Sequence, residues 1–205
     1  MGWSDMSSDL VDVTAGVAVS LLLLSTACTL KPVTVGMILE DVCELGKDTL
    51  TEPEQSIVKD TALQTLRQAY QDFGVFVAEG HNGSRLIFVD KGVPARLGAV
   101  GETHVLVTVS NVHVEPLYHA LLNVVGCDGI ATCGKKTRAE MVEALGRGIG
   151  ATGAHELGHQ VFLDFSLDSR CDDCYDGHTS TTYDHFFGTK HWSNDALAIL
   201  RRVRG

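Results

Sequence analysis

Two histidines four residues apart enclose a glutamate in the segment GATGAHELGHQ, residues 150–160. On an α-helix, side chains at positions i and i+4 lie on the same face, so His155 and His159 could reach one metal ion. That spacing suits tetrahedral zinc, and Glu156 beside it could accept a proton from a water molecule that the metal activates. The alternative is an amphipathic helix with two chance histidines. The segment therefore predicts a zinc site with a general base.

The elements around this motif predict an α+β fold. Residues 33–40 are apolar enough for a first strand, and residues 52–74 have the apolar spacing of a helix. Residues 75–90 contain two strand-like runs around an Asn-Gly pair, which favours a tight hairpin turn. The β-branched run 104–110 is typical of a sheet strand, whereas residues 111–136 look like an insertion of unassigned form.

The motif itself is predicted to lie on a helix. Thr137 and Glu140 form a capping box that would begin this helix. Four glycines between the box and the motif weaken it, since each costs up to about 1 kcal/mol relative to alanine. We expect them to allow close packing of the helix backbone against the sheet; a loop through 146–153 is the alternative.

The HELGH segment and this order of elements (strand, helix, hairpin, edge strand, motif helix) resemble the zincin metallopeptidases across residues 33–165. The resemblance implies a zincin-like domain with a mixed, mostly parallel twisted sheet, an active-site helix and a C-terminal helical subdomain. It places zinc on His155 and His159, the general base on Glu156, and substrate pairing on an edge strand at 104–110. The implied function is zinc-dependent endopeptidase action on peptide or protein substrates. The alternative is a secreted or lipoprotein binding module with a structural zinc site.

A catalytic zinc site needs a third protein ligand and an open position for water. No glutamate follows the motif, and Phe162 and Phe165 stand where the metzincin branch carries a glycine and its third ligand. Residues 181–188, TTYDHFFG, are similar to the aspzincin third-ligand segment, which nominates Asp184. His178 is the rival, because imidazole is a common zinc ligand. If both bind, four protein ligands would close the site to water, as the structural alternative requires.

Several other side chains are weaker candidates for this centre. Asp168, His185 and His191 follow Asp184 and His178 as third ligands. Tyr175 and Tyr183 could donate a hydrogen bond to an oxyanion, although packing in the core or at the surface would also account for a tyrosine at each position.

The first 31 residues predict export. Residues 13–30 carry no charge and end in small residues, as the apolar core of a signal does. The twelve residues before them contain three aspartates and no Lys or Arg, unlike an ordinary signal. The alternatives are a membrane anchor, lipidation at Cys28, or a buried strand or helix. We therefore expect a signal-like or anchor segment over 1–31, a domain over 32–205, and a secreted or membrane-tethered protein.

The cysteine spacing indicates the redox compartment, and the net charge indicates which partners are excluded. Cys127 and Cys133 enclose a short loop and Cys171 and Cys174 enclose CDDC, so both pairs are predicted to form disulfides in an oxidising compartment. The formal net charge is −10, with 26 acidic residues against 16 Lys and Arg, which would repel phosphate backbones. We expect a monomer that does not bind nucleic acid.

Overall fold

The computed structural model describes residues 32–40, 42–92, 99–103, 108–162, 169, 171–177 and 182–204. The predicted export segment 1–31, with Cys28, lies outside the described residues. So do two candidate ligands, Asp168 and His178. Within the described residues, no helix is long and apolar enough to cross a membrane.

Seven strands and five helices are described. The strands are β1 (Val33–Leu39), β2 (Glu44–Leu45), β3 (Asp48–Thr49), β4 (Val75–Glu79), β5 (Arg85–Asp90), β6 (Gly101–Thr103) and β7 (Val109–His113). The helices are α1 (Glu52–Tyr70), α2 (Val114–Val125), α3 (Arg138–Phe162), α4 (Tyr183–Phe187) and α5 (Asn194–Arg204). The predicted first strand, first helix, motif helix and C-terminal helix are all present.

The sheet is mixed and mostly parallel, in the order β4-β1-β5-β7-β6. Strands β4, β1, β5 and β7 pair in parallel, and β6 pairs antiparallel with β7 at one edge. The α+β fold and this kind of sheet are thereby confirmed. Strands β2 and β3 form a separate small ribbon.

The hairpin predicted over 75–90 is wrong. Both strands exist, but β4 and β5 flank β1 and each runs parallel to it. The segment between them crosses over β1 at Gly36, where a Cβ would overlap the carbonyl oxygen of Gly80. Gly80 also takes a positive φ of 97° at the end of β4. The chain bends at the Asn-Gly pair, but the strands on either side of it, β4 and β5, pair with β1 and not with each other.

The edge strand assigned to 104–110 is also corrected. Residues 104–107 lie outside the described residues, and Val109 begins β7, which is enclosed between β5 and β6. Val112 in β7 is completely buried, as a β-branched residue in an interior strand commonly is. The edge of the sheet on this side is β6, Gly101–Thr103.

Helix α3 is continuous through its glycines, so the alternative loop over 146–153 is wrong. A Cβ at Gly150 would lie 2.5 Å from the carbonyl oxygen of Ala62 in α1, and one at Gly146 would lie 2.6 Å from that of Val58. The close packing is therefore confirmed, but these two glycines face α1 and not the sheet. The Tyr70 hydroxyl also joins the helices by donating to the carbonyl of Ala154 at 2.8 Å.

Both predicted cysteine pairs form disulfides, Cys127–Cys133 and Cys171–Cys174. The first closes the loop after α2, and both α2 and this loop lie in the insertion predicted over 111–136. This loop is also held by Asp48, whose buried carboxylate accepts hydrogen bonds from the backbone N–H of Ile130 at 2.6 Å and of Ala131 at 3.1 Å.

Capping boxes begin both long helices. The Thr137 N–H donates to Glu140 Oε2 at 2.7 Å and the Glu140 N–H to Thr137 Oγ1 at 3.2 Å, so the predicted start of α3 is confirmed. In the box of α1, Glu54 also accepts a hydrogen bond from Arg138 at 2.5 Å. The Arg138 guanidinium is the largest cause that lowers the pKa of Glu54 from 4.5 to about 2. This ion pair ties the first turns of α1 and α3 together.

This pair should make part of the stability dependent on pH. Because the pKa of Glu54 is lower in the folded than in the unfolded chain, its contribution is complete above pH 4.5 and is lost as pH falls from about 4.5 to about 2. We expect Glu54→Gln to destabilise the protein at pH 7 by on the order of 1 kcal/mol, since Arg138 is partly solvent-exposed and screened. Denaturant unfolding at pH 7 and pH 2.5 would measure this.

The matched control is Glu52→Gln in the same turn, where Glu52 is exposed. We expect it to change the free energy of unfolding by less than about 0.5 kcal/mol at either pH. A Glu54→Gln variant as stable as the parent at pH 7 would contradict the assigned role of the pair.

Candidate metal centre

The two motif histidines converge at the C-terminal end of α3. Their Nε2 atoms lie 3.0 Å apart, and their ring planes are nearly perpendicular at 89°. Two imidazole ligands at ordinary zinc distances have nitrogens about 3.3 Å apart in a tetrahedron. Both side chains are half-buried. The pair is therefore oriented so that both nitrogens could bind one ion with a small adjustment.

A backbone carbonyl orients the first of these rings. His155 Nδ1 lies 3.0 Å from the carbonyl oxygen of Tyr175, an acceptor that requires Nδ1 to carry the proton. With the proton on Nδ1, the neutral ring has its lone pair on Nε2, the atom that faces His159. Histidines that bind metals commonly use their second nitrogen in this way.

The segment that carries this carbonyl is held at several points. The Cys171–Cys174 disulfide closes one turn immediately before it. The Tyr175 N–H donates to the carbonyl of His191 at 2.7 Å, and Asp176 accepts a hydrogen bond from the Ser193 N–H at 2.9 Å. These contacts connect the segment to the chain just before α5. The position of the Tyr175 carbonyl is therefore set by residues remote from the motif.

Glu156 lies between α3 and the edge strand β6. It is buried, and its Oε2 accepts a hydrogen bond from Thr103 Oγ1 at 2.5 Å. Gly101 leaves room for the carboxylate, because a Cβ there would lie 2.6 Å from Glu156 Oε1. The candidate base is therefore adjacent to the strand edge and next in sequence to a candidate ligand.

Sequence reasoning did not identify the polar residues beneath this end of the helix. Thr103 Oγ1 lies 2.7 Å from Ser110 Oγ, which accepts a hydrogen bond from Gln160 Nε2 at 2.6 Å. These three residues connect Glu156 to β6, β7 and the last turns of α3. No sequence signal distinguishes them, since threonine and serine are common in strands and glutamine is common in helices.

Helix α4 carries two of the candidate ligands and packs against α3 before the motif. His185 is buried, and its Nε2 lies 3.0 Å from the carbonyl oxygen of Gly148 and 3.2 Å from Thr152 Oγ1. Burial lowers the pKa of His185 to about 3, so it is neutral at pH 7. Asp184 is exposed on the same helix. These contacts favour a structural role for His185.

The third ligand stays a prediction. Within the described ranges, no third Asp, Glu, Cys or His side chain joins His155 and His159 in a group of metal-ligating atoms. His178 lies outside these ranges, and Asp184 remains a candidate from its sequence context. A different group of such side chains, which includes His191, does lie close together.

The described ring contacts of the two candidate tyrosines are with residues other than the motif histidines. The ring of Tyr175 is buried and lies 5.3 Å from that of Trp192, and burial raises its pKa. Tyr183 is exposed, stacks on Phe187, and lies 5.8 Å from the ammonium of Lys136 before the start of α3. The described contacts of both rings are therefore packing contacts.

The chain is thus an α+β protein whose long helix carries two adjacent histidines beside the segment 171–177 and a glutamate beside the edge of a mixed sheet. No family model, curated protein or solved structure matches it. Function therefore has to be inferred from the motif and from the geometry of this centre.

Proposed function

We propose that the protein is a zinc-dependent endopeptidase of zincin-like fold. The observation that carries the proposal is the convergence of His155 Nε2 and His159 Nε2 to 3.0 Å on the helix that also places Glu156 at the sheet edge.

The residues present fit a zinc ion. His155 and His159 supply two nitrogen ligands, and the Tyr175 carbonyl fixes the tautomer that binding needs. Asp184 or His178 is proposed as the third ligand, which would leave one position for water. When bound, zinc would lower the pKa of water and polarise the peptide carbonyl.

The remaining steps fall to the chain itself. Glu156 would take the proton from the attacking water and pass it to the departing amine. Thr103 would hold the carboxylate of Glu156 in place through its 2.5 Å hydrogen bond. Strand β6 lies at the edge of the sheet beside Glu156, so an extended peptide could pair with it and bring a carbonyl toward the centre.

Two further features support this reading. The mixed sheet has an antiparallel edge strand, and the motif helix packs against the sheet, which supports a zincin-like fold even though the hairpin and the edge strand at 104–110 are corrected. The two disulfides agree with an oxidising compartment, so we propose a secreted or membrane-tethered enzyme.

Zinc content tests the proposal directly. The full-length chain, purified without reductant, is expected to contain roughly one zinc per chain by elemental analysis. His155→Ala and His159→Ala should each lose it, whereas His119→Ala on the exposed side of α2 should keep it. Hydrolysis of an unfolded protein such as casein should stop on chelation and return with added zinc. A parent protein without zinc would overturn the proposal.

The same preparation distinguishes an open centre from a closed one. Loss of zinc in Asp184→Ala or in His178→Ala, but not in both, would identify the third ligand and leave the position that catalysis needs. Loss in both would favour the structural zinc site of a binding module, with no hydrolysis expected from the parent.

A further inference from the structure

We propose that Cys171, Asp173, Cys174 and His191 form a second metal site that becomes available when the Cys171–Cys174 disulfide is reduced. One ligand atom from each of the four residues lies within 4.8 Å of the others. Two thiolates, one imidazole and one carboxylate suit zinc, because these are its usual sulfur, nitrogen and oxygen ligands.

The contacts within this group bring the four side chains to one place. Cys174 Sγ lies 3.6 Å from His191 Nε2, and Cys171 Sγ lies 3.0 Å from Asp173 Oδ1. The second carboxylate oxygen of Asp173 lies 3.8 Å from His191 Nδ1. Cys174 is buried while Asp173 and His191 are exposed, so the group opens to solvent on one side. An ion could therefore reach it.

Backbone hydrogen bonds hold the group independently of the disulfide. The His191 N–H donates to the carbonyl of Asp173 at 3.1 Å, and the Tyr175 N–H donates to the carbonyl of His191 at 2.7 Å. These bonds keep the CDDC turn beside His191. Two cysteines separated by two residues can also bind one zinc ion from a single turn, as paired cysteines of structural zinc sites do.

Disulfide and metal exclude each other at this site. A dithiol reductant would transfer two electrons and two protons to the disulfide and leave as a cyclic disulfide, which gives two free thiols. Zinc would then bind both sulfurs as thiolates and release their two protons. In the oxidised protein the sulfurs are bonded to each other, so the site is closed to metal.

Cobalt binding tests this site separately from the histidine pair, because thiolate ligands give Co²⁺ a near-ultraviolet charge-transfer absorption that nitrogen ligands do not. The full-length protein treated with a phosphine reductant is expected to show this absorption at roughly one equivalent of Co²⁺. The untreated protein should not. Cys171→Ser/Cys174→Ser should lose it, while Cys127→Ser/Cys133→Ser, which removes the other disulfide, should keep it.

The histidine provides a second test that leaves both cysteines in place. His191→Ala should weaken Co²⁺ binding to the reduced protein by more than the roughly 10- to 100-fold that loss of an outer partner costs. His119→Ala is the matched control and should bind as the parent does. The proposal is overturned if the reduced parent shows no thiolate absorption, if Cys171→Ser/Cys174→Ser retains it, or if His191→Ala binds Co²⁺ as tightly as the parent.

Discussion

Glu156→Gln is expected to lower peptide hydrolysis by about 10²- to 10⁴-fold, the usual contribution of a general base. That loss corresponds to roughly 3–5 kcal/mol in the activation free energy. The amide cannot take a proton from water, but it has almost the shape of the carboxylate. Its oxygen can still accept the hydrogen bond from Thr103. We therefore expect zinc content and thermal stability close to those of the parent.

Glu143→Gln is the matched control, because Glu143 is an exposed glutamate on the same helix. Its hydrolysis rate should stay within about twofold of the parent, as most surface substitutions are nearly neutral. Rates would be measured at saturating casein, with zinc determined on the same samples. Undiminished hydrolysis in Glu156→Gln would remove Glu156 from the mechanism even if the zinc site is real.

Gly150→Ala is expected to destabilise the protein although alanine is the better helix former. A Cβ at this position would lie 2.5 Å from the Ala62 carbonyl oxygen and 2.6 Å from the Thr65 Cβ. Two of the three nearest atoms belong to the backbone of α1, so the overlap can be relieved only if the two helices move apart. Overpacking of about 3 kcal/mol, less about 1 kcal/mol of helix propensity, leaves a net loss of about 2 kcal/mol.

Such a loss should lower the Tm by about 4–8 °C in a protein of this size. Gly153→Ala, one turn further along the same helix, is the control. Its Cβ would meet nothing closer than Ile87 Cδ1 at 3.6 Å, so the substitution should be neutral or stabilise by up to about 1 kcal/mol. Equal Tm values for the two variants would mean that the contact between α1 and α3 is looser than described.

Local signals in the sequence predicted the first strand and the helices α1, α3 and α5, whereas α2 lies in the segment 111–136 that was left unassigned. Each capping box contains its donors and acceptors within four consecutive residues, so the start of α3 at Arg138 was readable. The topology of the sheet depends on contacts between residues that are distant in sequence, and it could not be predicted from the sequence. The Asn-Gly pair at 82–83 indicates a turn, but the pairing of β4 and β5 with β1 depends on Gly36, far earlier in the chain.

At the candidate centre, too, the residues that are close in sequence were predictable and the long-range contacts were not. His155, Glu156 and His159 were identifiable because one helical turn brings them together. Thr103 lies 53 residues from Glu156 in sequence, and it reaches that residue only through the fold. The Tyr175 carbonyl is a backbone atom, so the residue type at that position carries no signal for its role. Spacing therefore predicted the candidate ligands and base, while their supporting contacts required coordinates.

Strand β1 is bonded along both edges and covered on both faces at its centre. Strands β4 and β5 bond to its two edges, and the helix layer, represented by Gly153 beside Met37, covers one face. The segment that crosses at Gly36 covers the other. Local opening can free β1 only after one of these neighbours has detached. A mechanical load transmitted from residues before Val33 would therefore enter the fold at an interior strand, where hydrogen bonds along both edges resist withdrawal together.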